Sequence, residues 1–224
     1  MRMDCTRRGF LRVAGASVAG AYLYPAVRSW AAPAPTAPVA VAPCRTYGPE
    51  VLPTLATMFD QLGGLERLVQ GKTVAIKLNL TGLPATRLGY ATPEATYWSH
   101  PQVIGAVVHL LGKAGARRIR LLESPMSTAE PLEEFMLSSN WEPRQLVSAA
   151  PRVEFENTNF LGQGKKYSRF FVPGGGLLFK AYDLNHSYED CDIFVSLAKL
   201  KEHYSAGVTL SMKNCFGITP CTIY

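Results

Sequence analysis

Between Thr73 and Glu123 the hydrophobic period of the chain changes from two to 3.6 and back, and few folds accommodate that order. From Thr73 to Leu80 the residues alternate, with Val74, Ile76, Leu78 and Leu80 on one side and Thr73, Ala75, Lys77 and Asn79 on the other, which predicts a strand. Ser99 or His100 then caps a helix with Pro101 in its first turn. Val103, Ile104, Val107, Val108, Leu110 and Leu111 form its apolar face, and Gly115 is a fitting stop. Arg117 to Glu123 is a second strand. Strand, helix and strand in this order make a βαβ-type unit, so the expected class is α/β with a partly parallel, mixed sheet.

The remaining elements fit flanking helices in a Rossmann-like layering. Leu52, Leu55, Phe59 and Leu62 have helical spacing between Glu50 and Leu62, a further turn runs from Leu65 to Gln70, and Pro131 to Leu137 predicts another helix. Strands are expected at Arg152–Glu156 and Asp192–Leu197, with a hairpin of Tyr167–Val172 and Leu177–Tyr182 around Pro173-Gly174-Gly175-Gly176. No helical pattern and no G-K-[ST] follow these glycines, so they read as a turn rather than a phosphate cradle.

Residues 1–31 have the layout of a signal peptide. Thr6-Arg7-Arg8-Gly9-Phe10-Leu11-Arg12 leads into an Ala- and Gly-rich run to Leu23, and Ser29-Trp30-Ala31 places small residues where a signal peptidase reads. The run is well short of the ~20 residues that span a bilayer and is followed by Pro25, so no membrane span is expected in the mature chain. The segment resembles the twin-arginine signal. That resemblance implies the twin-arginine translocase as a partner during export, a periplasmic or extracellular location, and passage in the folded state, often with a cofactor already inserted. A Pro- and Ala-rich linker is expected over 32–49 and the α/β domain over 50–224.

Of the formal charge of +6, Arg2, Arg7, Arg8, Arg12 and Arg28 against Asp4 place most in the segment to be removed. The rest is near neutral and has no basic stripe, so nucleic acid is not an expected partner. About 190 residues with this hydrophobic content bury a sizeable core. Cys44, Cys191, Cys215 and Cys221 show no C-x-x-C spacing, so no ferredoxin-type iron–sulfur motif is present. Cys215 and Cys221 are candidates for a disulfide in an oxidising compartment, with free buried thiols as the equal alternative.

The segment from Val195 to Asn214 carries the chemistry. Lys199, Lys201 and His203 recur at spacing two and share a face if the extension persists, and Thr209 and Lys213 lie one helical turn apart. Lysines and a histidine beside a helix start suit a phosphate or carboxylate. With Lys77, Asn79 and Glu123 at the ends of the preceding strands, Lys77, Asn79, Lys199, Lys201 and Asn214 are the candidate ligand-binding residues, and His203 and Lys213 the candidate catalytic ones. A metal is the second option, with His203 as one ligand and Asp190, Asp192 or Glu123 as partners. The plain alternative is a solvated loop with a hydrogen-bonded His203.

The stretch D-C-D-I-F-V-S-L-A-K-L-K-E-H-Y-S-A-G-V-T-L-S-M-K-N-C-F-G-I-T-P, Asp190 to Pro220, resembles the hallmark block of the family called domain of unknown function 362. V-A-I-K-L-N-L from Val74 and the H-P-Q-V-I-G-A-V-V-H-L-L-G-K-A-G-A-R-R-I block from His100 resemble its preceding blocks in the same order. The resemblance implies an α/β domain, sometimes exported and sometimes fused to ferredoxin-type modules, with no settled activity. Members continue past the F-G-I-x-P block, so a further C-terminal part is expected to be missing. H-Y-S-A-G-V-T-L-S-M-K, His203 to Lys213, is also similar to one block of the nickel-pincer lactate racemases, which implies His203 as a contact to the nickel cofactor and Lys213 as an anion contact. The other histidines of that pattern have no counterparts in His100, His109 or His186. A rival reading is a non-catalytic accessory subunit of an exported redox complex, with Tyr90, Tyr97, Trp98 and Trp141 as interface aromatics.

Overall fold

The structure is a computed structural model that describes residues 36–83, 89–125, 131–137, 141–159 and 167–224. The signal peptide expected at 1–31 lies outside the described residues. Ala40–Tyr224 forms one unit, and its elements follow the expected order. Helices α1 (Val51–Gln61) and α2 (Glu66–Val69) precede strand β1 (Thr73–Lys77), α3 (Pro93–Thr96), α4 (Pro101–Lys113) and β2 (Arg118–Glu123). Next come α5 (Leu132–Leu137), α6 (Pro143–Val147), β3 (Val153–Asn157), β4 (Tyr167–Phe171) and β5 (Ala181–Asn185). The last elements are β6 (Ile193–Ser196), β7 (Lys201–His203), β8 (Gly207–Thr209) and α7 (Ser211–Cys215).

The central sheet has four strands in the order β3-β2-β1-β6. All its pairings are parallel, with Val74 opposite both Ile119 and Ile193, and Ile119 opposite Val153. The antiparallel character expected of a mixed sheet is confined to two separate ribbons, β4–β5 and β7–β8. The chain steps from β1 to β2 to β3 in one direction and returns to place β6 on the other side of β1. The strand order therefore reverses between β1 and β6, and a crevice at the carboxyl ends of such a pair is where open α/β sheets bind ligands.

Helix α4 begins and ends as its sequence dictates. His100 is the N-cap, its Nδ1 accepting from the Gln102 amide at 3.2 Å, and Pro101 occupies the first turn. Gly115, at φ +85°, turns the chain out while the Ala116 amide bonds the Leu111 carbonyl at 3.1 Å. Ile104, Val107, Val108 and Leu111 pack with Val74, Ile76, Leu78, Leu80, Ile119 and Leu121 in one core. Val103 and Leu110, expected in the buried face, are only half-buried.

The opposite face of the sheet is also buried, yet polar. Arg120 meets Asp190, its Nη1 donating to the carbonyl at 3.0 Å and its Nη2 standing 3.0 Å from Oδ2. Glu156 accepts from Asn185 at 2.9 Å and from Ser187 at 2.6 Å. The alternation in Thr73–Leu80 thus separates an apolar face from a polar one, and both are covered.

The second strand of the hairpin starts later than the sequence predicts, at Ala181 instead of Leu177. Gly174 and Gly175 adopt φ of +74° and +80°, and a Cβ at Gly176 would stand 2.2 Å from the Phe179 carbonyl oxygen. The chain therefore folds back on itself before Val172 N–H meets the Lys180 carbonyl at 2.9 Å. Leu177 and Leu178 are left exposed at the tip.

Candidate functional site

Lys77 ends β1 opposite Leu122, and Glu123, the next residue, ends β2, so the two side chains meet at the end of the sheet. They form an ion pair with side chains only 2% and 5% exposed. Lys77 Nζ donates to Glu123 Oε1, to the Leu78 carbonyl at 2.6 Å and to Asn214 Oδ1 at 3.4 Å. Glu123 also accepts from the amides of Leu80 at 2.7 Å and Ser124 at 2.9 Å. Asn214, on α7, donates to the Lys77 carbonyl at 3.2 Å and to Ser196 Oγ at 3.0 Å, which ties β1 to β6 across the switch point. Gly217 closes over this group: a Cβ there would lie 3.1 Å from Lys77 Nζ, so the position has little room for a side chain.

This polar knot lies at a cavity of about 700 Å³. Lys77, Asn79, Glu123, Lys201, His203, Lys213 and Asn214 all line it. Lys199 does not. Irregular chain separates β6 from β7, so the spacing-two alternation holds only over Lys201–His203, and Lys199 turns away to the Tyr47 hydroxyl and the Glu94 carbonyl, the latter at 3.1 Å. Tyr47, within the stretch read as linker, stacks on His100 with ring centroids 3.8 Å apart.

The lining residues have different capacities left. All three protons of Lys77 have partners, so with Glu123 and Asn214 it forms a floor. Lys201 Nζ has one bond, to the Tyr97 carbonyl at 2.6 Å. Burial pushes its pKa down from 10.5 to about 8, Glu123 opposes that, and the charges of Lys213, Lys199 and Lys77 reinforce it. Lys213 lies 5.1 Å from the centroid of the Phe216 ring. Asn79 Oδ1 and Thr209 Oγ1 are buried with no hydrogen-bond partner among the described residues, in side chains that line the same cavity. Thr209 ends β8 rather than sharing a helix with Lys213, and the short α7 is no anion site of its own.

His203 Nδ1 accepts from the amides of Ser205 at 3.3 Å and Ala206 at 3.2 Å. This pattern assigns the proton of the neutral ring to Nε2, which makes Nε2 a donor. Metal ligation through Nε2 would require the proton on Nδ1, facing two N–H groups. The acidic partners proposed for a metal are also engaged: Glu123 lines the same cavity but pairs with Lys77, whereas Asp192 accepts from the Thr73 amide at 2.8 Å and Asp190 pairs with Arg120, these last two away from the cavity. Both precede β6 while His203 follows it, and the four residues of β6 span about 13 Å. Among the described residues no group of three or more His, Cys, Asp or Glu is placed to hold a metal. The donor set does not fit a nickel site of the racemase kind.

The sequence reading missed the aromatic wall. Phe179, Tyr182, Phe216 and Tyr224 line the cavity, as do Cys215 and Cys221, which are not joined to each other. Phe179 and Tyr182 come from the hairpin excursion and Tyr224 from beyond the last helix, so no local pattern links them. Trp98 and Trp141, read as possible interface residues, are buried and meet edge-to-face at 5.6 Å. Tyr90 is exposed, and Tyr97 lies under the Lys201 ammonium.

The fold and cavity define an α/β domain with a crevice at the carboxyl ends of β1 and β2 in a parallel sheet, polar at its floor and aromatic along its wall. The family model for a domain of unknown function (DUF362) matches residues 74–222, and the chain belongs to that family. It is similar to the thylakoid-associated protein sll1697 of Synechocystis sp., 25% identical over 171 residues, which are 76% of this chain and 46% of the relative. The chain thus spans under half the length of that relative. No solved structure matches it. No helix among the described residues is long and apolar enough to cross a membrane.

Proposed function

We propose that this is an exported protein whose α/β domain binds an anionic ligand in the crevice at the carboxyl ends of β1 and β2. One observation carries the reading: Lys201, Lys213 and the His203 ring share a cavity with two buried polar atoms, Asn79 Oδ1 and Thr209 Oγ1, that have no partner among the described residues. Unpaired buried polar atoms are costly and uncommon in folded proteins, and a ligand bearing oxygens and a proton donor would satisfy them. The lysines and His203 Nε2–H supply donors for the anion, and the Lys77–Glu123–Asn214 floor holds the strand ends rigid.

Sulfate, which keeps its charge across the range, is the first probe. Calorimetric titration is expected to show binding that weakens as pH rises through about 8, because Lys201 is then losing its proton. Lys201→Ala and Lys213→Ala are each expected to weaken it roughly tenfold or more, the worth of a charged hydrogen bond. Unchanged affinity in both variants would sink the reading.

Export is proposed from Arg7 and Arg8. Fractionation of a twin-arginine-competent bacterial host should find the wild-type chain in the periplasm or medium and Arg7→Lys/Arg8→Lys in the cytoplasm. An unaltered distribution would remove the assignment.

A second reading, docking on an exported partner protein, is favoured by a different surface from the one the sequence pointed to. Leu177, Leu178, Tyr204 and Met212 are all strongly exposed, while the two tryptophans belong to the core.

A further inference from the structure

We infer that the ligand is a planar aromatic or heteroaromatic compound bearing the anionic group. This rests on the anion-binding reading and narrows it. A cavity of about 700 Å³ is in the range of sites for whole small molecules, and a bare sulfate- or phosphate-sized anion would occupy only a corner of it. The remaining wall is aromatic. Phe179, Tyr182 and Tyr224 line it as a mutual cluster, with ring centroids 5.5 Å, 5.9 Å and 5.5 Å apart.

These rings are not spent on a sealed core. Phe179 and Tyr224 are each nearly half exposed although they line a concave site, so a flat ligand can still cover them. Offset-stacked or edge-to-face rings gain free energy beyond plain area burial. Cation and ring are adjacent within the site itself, since Lys213 lies against the Phe216 face. A ligand whose anionic group meets Lys213 and Lys201 thus brings its attached body toward aromatic surface. Asn79 Oδ1 can only accept, so a hydroxyl or N–H donor on the ligand would add a further contact. Thr209 Oγ1 can complete that bond as donor or acceptor.

The test compares two monoanions that differ in the ring alone, methyl sulfate and phenyl sulfate, titrated against the full chain as purified. Phenyl sulfate is expected to bind roughly tenfold more tightly, the worth of one good aromatic contact. Phe179→Leu should shrink that ratio by weakening phenyl sulfate more than methyl sulfate. Alkylation of the exposed Cys221 thiol, which lines the same cavity, should be slowed by phenyl sulfate at concentrations where methyl sulfate has little effect. The wild-type comparison does not depend on any variant folding. Equal affinities for the two ligands would overturn the aromatic inference and leave the anion site standing, whereas absence of binding by both, and by sulfate, would overturn the anion reading and this inference with it.

Discussion

Glu123→Ala is expected to destabilise the domain by about 3–5 kcal/mol, the cost of leaving one partner of a buried ion pair without the other. The carboxylate is the hub of the strand ends. It takes Lys77 on one oxygen and the amides of Leu80 and Ser124 besides. Removing it strands an ammonium whose side chain is 2% exposed and two backbone donors. The double variant Lys77→Met/Glu123→Leu removes both charges at similar volume and should recover a large part of that loss, since a buried pair replaced by apolar residues is often neutral. Recovery will be incomplete, because the Leu80 and Ser124 amides and the Leu78 carbonyl still lose partners. Urea unfolding of the two variants measures this directly. A loss below about 1 kcal/mol for Glu123→Ala, the range of exposed pairs, would show that water reaches the pair and that the floor of the cavity is not rigid.

The fold was legible where one period decides it. Val74, Ile76, Leu78 and Leu80 all joined the apolar core, and Pro101, His100 and Gly115 took the helix-end positions their chemistry suits. What the pattern could not supply was the fate of the second face. Lys77 and Asn79 belong to the face opposite the apolar one and are buried, and for Lys77 the cover is Glu123 and Asn214 of α7, both remote in sequence. The late start of β5 was equally hidden: Leu177-Leu178-Phe179 has strand propensity, but the backward fold at Gly176 overrides it.

For the candidate site, legibility followed sequence distance. Strand-end residues converge because parallel strands end together, so Lys77, Glu123, Lys201 and His203 could be placed at one end of the sheet from order alone. The same logic puts Asp190 and Asp192, which precede β6, at the far end and leaves Glu123, of the three acidic residues named for a metal, at the end where His203 lies. Lys199 separated from Lys201 because two residues of spacing mean one face only while the backbone stays extended. The aromatic wall needed tertiary structure, since its residues come from a hairpin tip, a hairpin strand and the segment after α7.

Trp98→Ala is expected to cost about 3–5 kcal/mol, the range for deleting a large buried aromatic, and to do so in the isolated domain with no partner present. Trp98 has no exposed surface. Its indole N–H donates to the Thr81 carbonyl at 2.7 Å, and its ring meets Trp141 edge-to-face, so the substitution opens a cavity and frees a carbonyl together. Trp98→Phe retains part of the ring contact and loses the donor, which predicts a smaller cost of about 1–3 kcal/mol. Thermal or urea unfolding of the two variants decides between the two roles open to this residue. Graded losses of this size assign Trp98 to the core that holds the segment after β1, and with it Asn79, in place beside the cavity. An interface tryptophan would behave in the opposite way, leaving the melting of the isolated domain unchanged while a partner complex was lost, and that outcome would return the accessory-subunit reading to the aromatic pair from which it started.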